Sequence, residues 1–478
     1  MSTRVVVWLM LALAPAVAAA AAQAPEAGEL TQDGSTALHW AVHQDDAVLV
    51  QRLLKEGANP NATNDYGATP LAEAAVIGNT SVLTALIKAG VDVNGVNSAG
   101  QTPLMVLART SNVAAVRLLV RAGAKVNAAE KIRGQTALMW AAAQGQPAMV
   151  RELLAHGADV NARTLVNDNQ RQVSGEPRAQ YRPAGGFTAL LFASRQGCLE
   201  CVKALVGKGA QIDYTDPEGV TALIVAVNNF NFDTGAWLLS KGANPNLWDW
   251  WGRTALWCAV DLNTVPRGGR PDMPSLDRTS SLQMIGLLLK AGANPNLQLK
   301  LLPPYRAVGA DRGADTLLTI GSTPLLRAAK AGDVEATGLL LAAGANPNLP
   351  QVAGVTPVMA AAGLGSTNID TRGSLKTQAG MIDSLKLMLA AGGNLTLQDK
   401  QGRTALHGAA FWGYNDVVRF LATNHAPLQA KDAKGLTPVD HALGKAGGQG
   451  RGGQGVSVYK DTAELLEQLQ AAAVTAQR

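Results

Sequence analysis

The feature that most constrains this chain is a short glycine-led motif that returns at nearly constant spacing. The pattern Gly-x-Thr-Ala/Pro-Leu/Val begins at eleven glycines, namely Gly34, Gly67, Gly100, Gly134, Gly186, Gly219, Gly252, Gly321, Gly354, Gly402 and Gly435. Six of the ten intervals between them are 33 residues, one is 34, and the other three are 52, 69 and 48. A fixed period of this size indicates one structural unit that is repeated along the chain and stacked on its neighbours.

The eighth repeat shows how one unit is built. Thr323 is suited to cap the start of a helix, and Pro324 fits the first helical turn, where a backbone N–H has no partner within the helix. Gly332 ends this short helix, and a second, leucine-rich helix over 334–343 ends at Gly344, in the left-handed conformation that glycine adopts easily. Helices this short are unstable alone in water, so each unit depends on its neighbours.

Two further motifs identify the kind of repeat. Thr-Ala-Leu-His occurs at 36–39 and at 404–407. A closing Gly-Ala-Asp/Asn-x-Asn occurs at 57–61, 157–161, 242–246, 292–296 and 344–348. In its period and in these motifs the chain resembles the ankyrin-repeat family from about residue 30 to residue 470.

The resemblance implies an all-α fold, an ankyrin-repeat solenoid of about eleven helix-turn-helix repeats with finger loops. It would occupy residues 34–478, and residues 435–478, which include the glycine-rich stretch 444–455, would form the C-terminal cap. What such a resemblance implies for function is the binding of a protein on the concave surface of first helices and fingers. We expect a monomer, as is common for repeat stacks.

Three repeats carry insertions, because their intervals exceed the 33-residue period by 19, 36 and 15 residues. Alignment of the leucine stripes places them near 165–185 in repeat four, near 263–280 and 298–320 in repeat seven, and near 363–378 in repeat nine. Such loops are either functional or disordered, and the sequence leaves both open. The finger insertions of repeats four and seven would flank repeats five and six and border a groove there.

The N-terminus has the pattern of a secretory signal peptide over residues 1–22, followed by a polar linker over 23–33. Arg4 precedes an uncharged apolar run, and small alanines precede a cleavage point before Gln23. The alternative is an uncleaved anchor, since residues 5–22 carry no charge. We expect export to the periplasm or outside the cell, with no transmembrane segment in the mature chain.

Composition and motifs argue against several functional classes. The formal charge is +5, from 41 basic and 36 acidic residues, which is too small and too evenly spread to indicate a nucleic-acid partner. The sequence has no nucleophile elbow, no Walker motif and no carboxylate pair in a helix or strand context. We therefore expect no enzyme activity, no cofactor and no metal site. His39 and His43 have a metal-compatible spacing but no evident third ligand.

The strongest candidate for a partner-binding site is a cluster of aromatic residues and one arginine. Trp248, Trp250, Trp251 and Arg253 fill the positions around a finger turn, and Trp257 follows on the next helix. Tryptophan and arginine are the residues most enriched in binding hot spots. The alternative is that the insertions of repeat seven fold over these rings and bury them as a local core.

Other aromatic residues allow weaker interpretations. Phe411 and Trp412, near the end of a first helix, form a second candidate patch. Trp40, Trp140 and Trp237 occupy positions that predict packing in the core.

The cysteines and histidines allow structural interpretations. Cys198 and Cys201 form a Cys-x-x-Cys at the start of a second helix, which is compatible with simple packing, a structural disulfide, or a redox or metal role. Cys258 is predicted to be buried. The resemblance implies that His39 and His407 are the signature histidines that tether neighbouring repeats. His425 replaces a repeat-ending glycine, which predicts a locally different turn.

Two hypotheses of function follow. The first is an exported, non-enzymatic scaffold that binds a protein partner through its concave and finger surface. The second is an enzyme or small-molecule-binding subunit whose site is built by the insertions of repeats four and seven.

Overall fold

The structure is a computed structural model that describes residues 31–167, 183–264, 277–301, 317–365, 377–447 and 457–476. Two compact units divide the chain, Met1–Ile132 and Arg133–Arg478. The predicted signal peptide over 1–22 and most of the linker over 23–33 lie outside the described residues. So do the central parts of the four insertions.

The first unit contains three helix pairs. Its helices are α1 (Ala37–His43), α2 (Ala47–Lys55), α3 (Pro70–Ile77), α4 (Thr80–Lys88), α5 (Pro103–Ala108) and α6 (Val113–Arg121). The first helices α1, α3 and α5 pack on one another in succession, and so do the second helices α2, α4 and α6. The shared core is therefore a double row of short helices.

The second unit repeats this plan in eight helix pairs. Its elements are α7 (Ala137–Ala143), α8 (Pro147–Ala155), β1 (Val166–Asn167), β2 (Ala184–Gly185), α9 (Ala189–Gln196), α10 (Leu199–Val206), α11 (Ala222–Asn228), α12 (Phe232–Ser240), α13 (Ala255–Asn263), α14 (Ser281–Lys290), α15 (Pro324–Ala331), α16 (Val334–Ala342), α17 (Pro357–Ala361), α18 (Gln378–Ala390), α19 (Ala405–Phe411), α20 (Asn415–Thr423), α21 (Pro438–Ala442) and α22 (Lys460–Ala476). Odd-numbered helices pack in one row and even-numbered helices in the other. The eleven pairs in the described residues confirm the predicted all-α repeat fold.

The local signals of the repeat act as predicted. The Thr323 hydroxyl accepts a hydrogen bond from the Leu326 N–H at 3.1 Å, and Pro324 opens α15. Gly332 and Gly344 have φ angles of +69° and +85°, in the left-handed region. The second helix ends one residue earlier than predicted, at Ala342.

One sequence prediction about a chain turn needs correction, and one insertion has a regular base. His425 adopts φ +65°, so it takes the same left-handed conformation that glycine takes at other repeat ends, and the turn does not differ. Histidine tolerates this region better than β-branched residues do. In repeat four the base of the insertion is a short antiparallel ladder, in which Val166 pairs with Gly185.

A ladder of asparagine side chains joins successive repeats at the ends of the second helices. Asn296 shows the geometry: its Nδ2 donates to the Gly344 carbonyl at 3.0 Å, and its Oδ1 accepts from the Asn346 N–H at 2.8 Å. The same pair of bonds is made by Asn94 in the first unit and by Asn161, Asn246 and Asn348 in the second. Each of these asparagines therefore fixes the spacing between its own repeat and the next.

The signature histidines tether repeats as predicted. In the first unit, the Thr36 hydroxyl lies 2.9 Å from His39 Nδ1, and His39 Nε2 lies 3.1 Å from the Ala68 carbonyl. His407 makes the equivalent contacts in the second unit. Within the described ranges, no helix combines the length and the apolar character needed to cross a bilayer.

Candidate protein-binding site

Two finger turns of the second unit have the same sequence pattern, Asp-x-x-Gly-Arg. We call them the Asp249 turn (249–253) and the Asp399 turn (399–403). In each turn, Oδ1 of the aspartate accepts the backbone N–H groups two and four residues later, at 2.9–3.1 Å. In each, the arginine Nε donates to Oδ2 of the same aspartate, at 2.8 Å for Arg253 and 2.9 Å for Arg403. Both aspartates are thus committed to holding their own turn.

The Asp249 turn does not present the predicted aromatic cluster to solvent. Trp251 and Trp257 are each only 4% exposed, and Arg253 is 6% exposed. The carbonyl of Trp251 accepts hydrogen bonds from the N–H groups of Lys300 and Leu301, so a later segment of repeat seven lies against this turn. The Trp251 ring in turn covers the Arg253 guanidinium, with Cζ 4.7 Å from the ring centroid. For these three residues the structure therefore favours the alternative that the sequence allows, in which a segment of repeat seven covers them as part of a local core.

Two tryptophans of the predicted cluster remain accessible. Trp248 is 50% exposed, and Lys300 Nζ lies 5.7 Å from its ring centroid. Trp250 is half-buried. Trp40, Trp140 and Trp237, for which the sequence predicts packing in the core, are also half-buried. The position of a tryptophan within the repeat therefore does not determine its burial by itself. Its burial also depends on whether another segment of the chain covers the ring.

A cleft of about 550 Å³ lies in repeats nine to eleven, and we call it the Trp412 cleft. Its lining consists of Gly363, Leu364, Gly365, Gln401, Arg403, Gly408, Phe411, Trp412, Asp432, Ala433, Lys434, His441, Ala446 and Gly447. It thus combines two finger turns, the first helices α19 and α21, and the stem of the insertion in repeat nine. A volume of this size is typical of ligand sites, which range over about 300–1,000 Å³.

The stem of the repeat-nine insertion is held tightly against α19. Trp412 Nε1 donates to the Gly363 carbonyl at 3.0 Å. A Cβ atom at Gly408 would lie 2.4 Å from the Leu364 backbone nitrogen, so only glycine permits this approach. One face of the Trp412 ring stacks on Tyr414, with centroids 6.4 Å apart and planes 19° apart. The wall of the cleft is therefore fixed in place by side-chain contacts.

The rear of the cleft is a buried pair formed by Asp432 and His441. His441 Nε2 lies 3.0 Å from Asp432 Oδ2. Burial by itself raises the pKa of Asp432, but the hydrogen bonds from His441 and from the Leu436 and Lys434 N–H groups outweigh burial, and the pKa lies below its ordinary value. The His407 ring packs edge-on against His441 at 4.8 Å, and burial followed by the His441 charge lowers the pKa of His407 to about 4.

Arg403 differs from Arg253 in its exposure, although the ion pairs are alike. The Arg403 side chain is 26% exposed, against 8% for Arg253. The position of Trp251 in the Asp249 turn is occupied by Gln401 in the Asp399 turn, and no large ring at that position covers the guanidinium. Part of the Arg403 side chain therefore stays exposed, and Arg403 lines the Trp412 cleft.

Among the cysteines, the structure joins the sulfur atoms of Cys198 and Cys201 in a disulfide. Cys198 is the N-cap of α10, and its Sγ accepts the Cys201 N–H at 3.2 Å. Cys258 is buried, as predicted. Among the described residues, no group of three or more His, Cys, Asp or Glu side chains is arranged to hold a metal ion.

The sequence predicts only part of the Trp412 cleft, in which Phe411 and Trp412 form the weaker candidate patch. Two signals indicate more of it. The Asp-x-x-Gly-Arg pattern occurs twice and predicts a shared turn. A glycine inside α19, at Gly408, indicates a close backbone approach. Both signals occur together in repeat ten.

The comparisons with known proteins give relatives that share short stretches. An ankyrin repeat protein of Acanthamoeba polyphaga mimivirus is 37% identical over 14% of this chain and 41% of its own length. An ankyrin repeat protein of fowlpox virus is 53% identical over 10% of this chain and 14% of its own length. The mouse B-cell lymphoma 3 protein homolog is 37% identical over 20% of this chain and 21% of its own length. The chain therefore matches less than half of each of these relatives.

Family models cover far more of the chain. The model described as ankyrin repeats in three copies matches residues 7–97, 74–164, 171–249, 190–298 and 375–450. The model of the single ankyrin repeat matches residues 320–351. These matches take in well over half of the 478 residues, in agreement with the helix pairs, the tethering histidines and the glycine turns. The chain belongs to the ankyrin-repeat family.

Proposed function

We propose that this chain is an exported, non-enzymatic scaffold that binds a protein partner through its first helices and finger turns. The observation that carries the proposal is the Trp412 cleft, where Phe411, Trp412 and Arg403 line one concavity. Aromatic residues and arginine are enriched where protein interfaces are strongest, because they bring large contact area or a planar array of donors. A fold of stacked repeats supplies the rigid surface that such a site needs.

A second contact point supports the same function. Trp248, directly before the Asp249 turn, and Trp250, within it, remain accessible, and Lys300 lies beside the Trp248 ring. We propose that the partner contacts this turn in addition to the Trp412 cleft, since both lie on finger turns of the second unit. The buried Trp251, Trp257 and Arg253 would then support the turn and would not touch the partner.

Export is part of the proposal and has two supports. The leader pattern over 1–22 is one. The other is the pairing of Cys198 with Cys201, because disulfides persist in oxidising compartments and are rare in the cytosol. N-terminal sequencing of the protein from the cell fractions tests export, and a mature chain beginning at Gln23 is expected. A protein recovered with Met1 in the cytosolic fraction would contradict it.

Partner capture tests the binding site. The mature chain serves as bait beside three variants, Trp412→Ala, the pair Trp248→Ala and Trp250→Ala, and Trp237→Ala as a matched control on a second helix. A protein kept by the original bait and by the control, but lost with the Trp412 variant, is expected. If all four baits keep the same proteins, neither finger site is the binding surface.

The second hypothesis, a pocket built by the insertions of repeats four and seven, is a weaker candidate. The described stem of the repeat-four insertion is a two-residue ladder, and a described stem of the repeat-seven insertion packs on Trp251. The Trp412 cleft instead uses the insertion of repeat nine. We therefore prefer the scaffold to a small-molecule-binding subunit.

A further inference from the structure

We infer that the segment of the partner that enters the Trp412 cleft is an acidic peptide with an apolar side chain. The inference rests on the proposed function and adds the chemistry of the partner. It depends on three features of the cleft: cations on its finger turns, carboxylates that are committed internally, and an aromatic wall.

The finger turns at the cleft carry several cations. Lys434 is exposed and lines the cleft, and the exposed Lys400 and Lys431 lie in the Asp399 turn and beside Asp432. Arg403 lines the cleft as well, with 26% of its side chain exposed. Four positive groups therefore belong to two neighbouring finger turns, and two of them line the cleft.

The aspartates of the same turns do not offset this charge for a partner. The Asp399 carboxylate accepts hydrogen bonds from two backbone N–H groups and from the Arg403 guanidinium, and its side chain is only 1% exposed. Asp432 holds the Lys434 and Leu436 N–H groups and His441, and its side chain is 7% exposed. Because both carboxylates face inward, an incoming ligand meets the lysines and the open side of Arg403. A carboxylate suits this arrangement, since guanidinium groups bind carboxylates with planar, charge-assisted hydrogen bonds.

The aromatic wall selects an apolar side chain next to the acidic one. Phe411, Trp412 and Leu364 also line the cleft. Trp412 already donates its Nε1–H to Gly363 and stacks one face on Tyr414, so it offers the rest of its ring as an apolar surface. A peptide can supply both groups from neighbouring residues.

A nucleic acid fits these observations less well. Proteins that track a phosphate backbone use a continuous basic stripe with several stacking aromatics. Here the exposed lysines lie on two adjacent finger turns, and the cleft is lined by one phenylalanine and one tryptophan ring, those of Phe411 and Trp412. We therefore argue for a peptide and test the oligonucleotide as a competitor.

The test uses random peptides displayed on phage, selected against the mature full-length chain. Peptides that carry Asp or Glu beside a leucine or an aromatic residue are expected to be enriched. A fluorescent peptide of the enriched sequence is then compared with its Asn/Gln counterpart on three proteins. These are the original chain, the double variant Lys400→Gln with Lys434→Gln, and a control of equal charge, Lys386→Gln with Arg419→Gln, on the second helices α18 and α20.

We expect the acidic peptide to bind about 10-fold more weakly to the double variant and with unchanged affinity to the control, because two exposed charges are removed from the site only in the first. Enriched peptides without acidic residues that still need Trp412 would overturn the inference and leave the proposed function standing. An oligonucleotide that competes with the peptide and has an inhibition constant below the dissociation constant of the peptide would also overturn the inference. If no peptide is enriched, the inference fails, and partner capture decides separately on the proposed function.

Discussion

Arg403 Nη2 lies 2.6 Å from Asp399 Oδ2, and in the Asp249 turn Arg253 Nη2 lies 2.7 Å from Asp249 Oδ2. The two pairs are therefore alike in geometry. They differ in what surrounds them, since Trp251 covers Arg253 and the Arg403 side chain is open to the Trp412 cleft. One sequence pattern thus serves a structural role in one repeat and is available for binding in another.

This difference predicts unequal effects of the same substitution. Lysine keeps the charge of arginine but loses the two-nitrogen contact with the carboxylate. Because Arg253 is buried, we expect Arg253→Lys to lower the free energy of unfolding by about 2–3 kcal/mol and Arg403→Lys by about 1 kcal/mol or less. Urea unfolding followed by circular dichroism measures both. Equal losses would contradict the assignment of Arg253 to a buried core and of Arg403 to an open site.

A second prediction concerns the turn aspartate Asp216, whose turn ends in Val220 where the other two turns have arginine. Its Oδ1 accepts the Glu218 and Val220 N–H groups at 2.9 and 2.8 Å. Burial raises the pKa of Asp216 from 3.8 to about 6. Between these values the folded state binds more protons than the unfolded state, so this group makes stability fall as pH rises through the window.

Asp216→Asn removes the charge and leaves an amide oxygen to accept the same two hydrogen bonds. We expect the variant to be more stable than the original at pH 7, by about 1–3 kcal/mol, and to lose the decline between about pH 4 and pH 6. Unfolding measured across pH gives both values. Asp249→Asn is the matched control and is expected to be destabilised, because Arg253 would lose its charged partner. Destabilisation of both variants to the same extent would contradict the prediction.

The fold could be predicted from the sequence because its signals are local. A threonine cap such as Thr323 and a left-handed glycine such as Gly344 act within a few residues of themselves, so the sequence pattern alone locates the helix ends. His425 is informative in this respect, since the backbone keeps the left-handed turn even without glycine.

The candidate site could be predicted only in part, because burial depends on segments that are distant along the chain. Trp251 is covered where Lys300 and Leu301 bond to its carbonyl, 49 and 50 residues later. The wall of the Trp412 cleft depends on the contact of Gly363 with Trp412. The length of an insertion is visible in the sequence, but the rings that its stem will cover are not.

A third prediction concerns the asparagine ladder. Asp213 takes the acceptor role in one rung, since its Oδ1 accepts the Asn244 N–H at 2.9 Å, but a carboxylate cannot donate to a carbonyl as Asn296 does to Gly344. We expect Asp213→Asn to raise the free energy of unfolding by about 0.5–1 kcal/mol through one added hydrogen bond. The reverse change, Asn296→Asp, is expected to lower it by a similar amount or more, because a charged oxygen would then face the Gly344 carbonyl. Thermal unfolding of the two variants measures the effect, and shifts of the same sign would contradict the role of the ladder.

A fourth prediction concerns the Cys198–Cys201 bond. Closing so short a loop restricts the unfolded chain only modestly, so we expect its contribution to be about 1–2 kcal/mol. The informative variant combines Cys198→Ser, which keeps an acceptor at the N-cap of α10 for the Cys201 N–H, with Cys201→Ala, which suits a fully buried position. In the absence of reductant the variant should melt a few degrees below the original chain. Dithiothreitol should lower the melting temperature of the original chain and leave that of the variant unchanged. If dithiothreitol lowers neither, the two cysteines are not bonded in the folded protein, and the second support for export is lost.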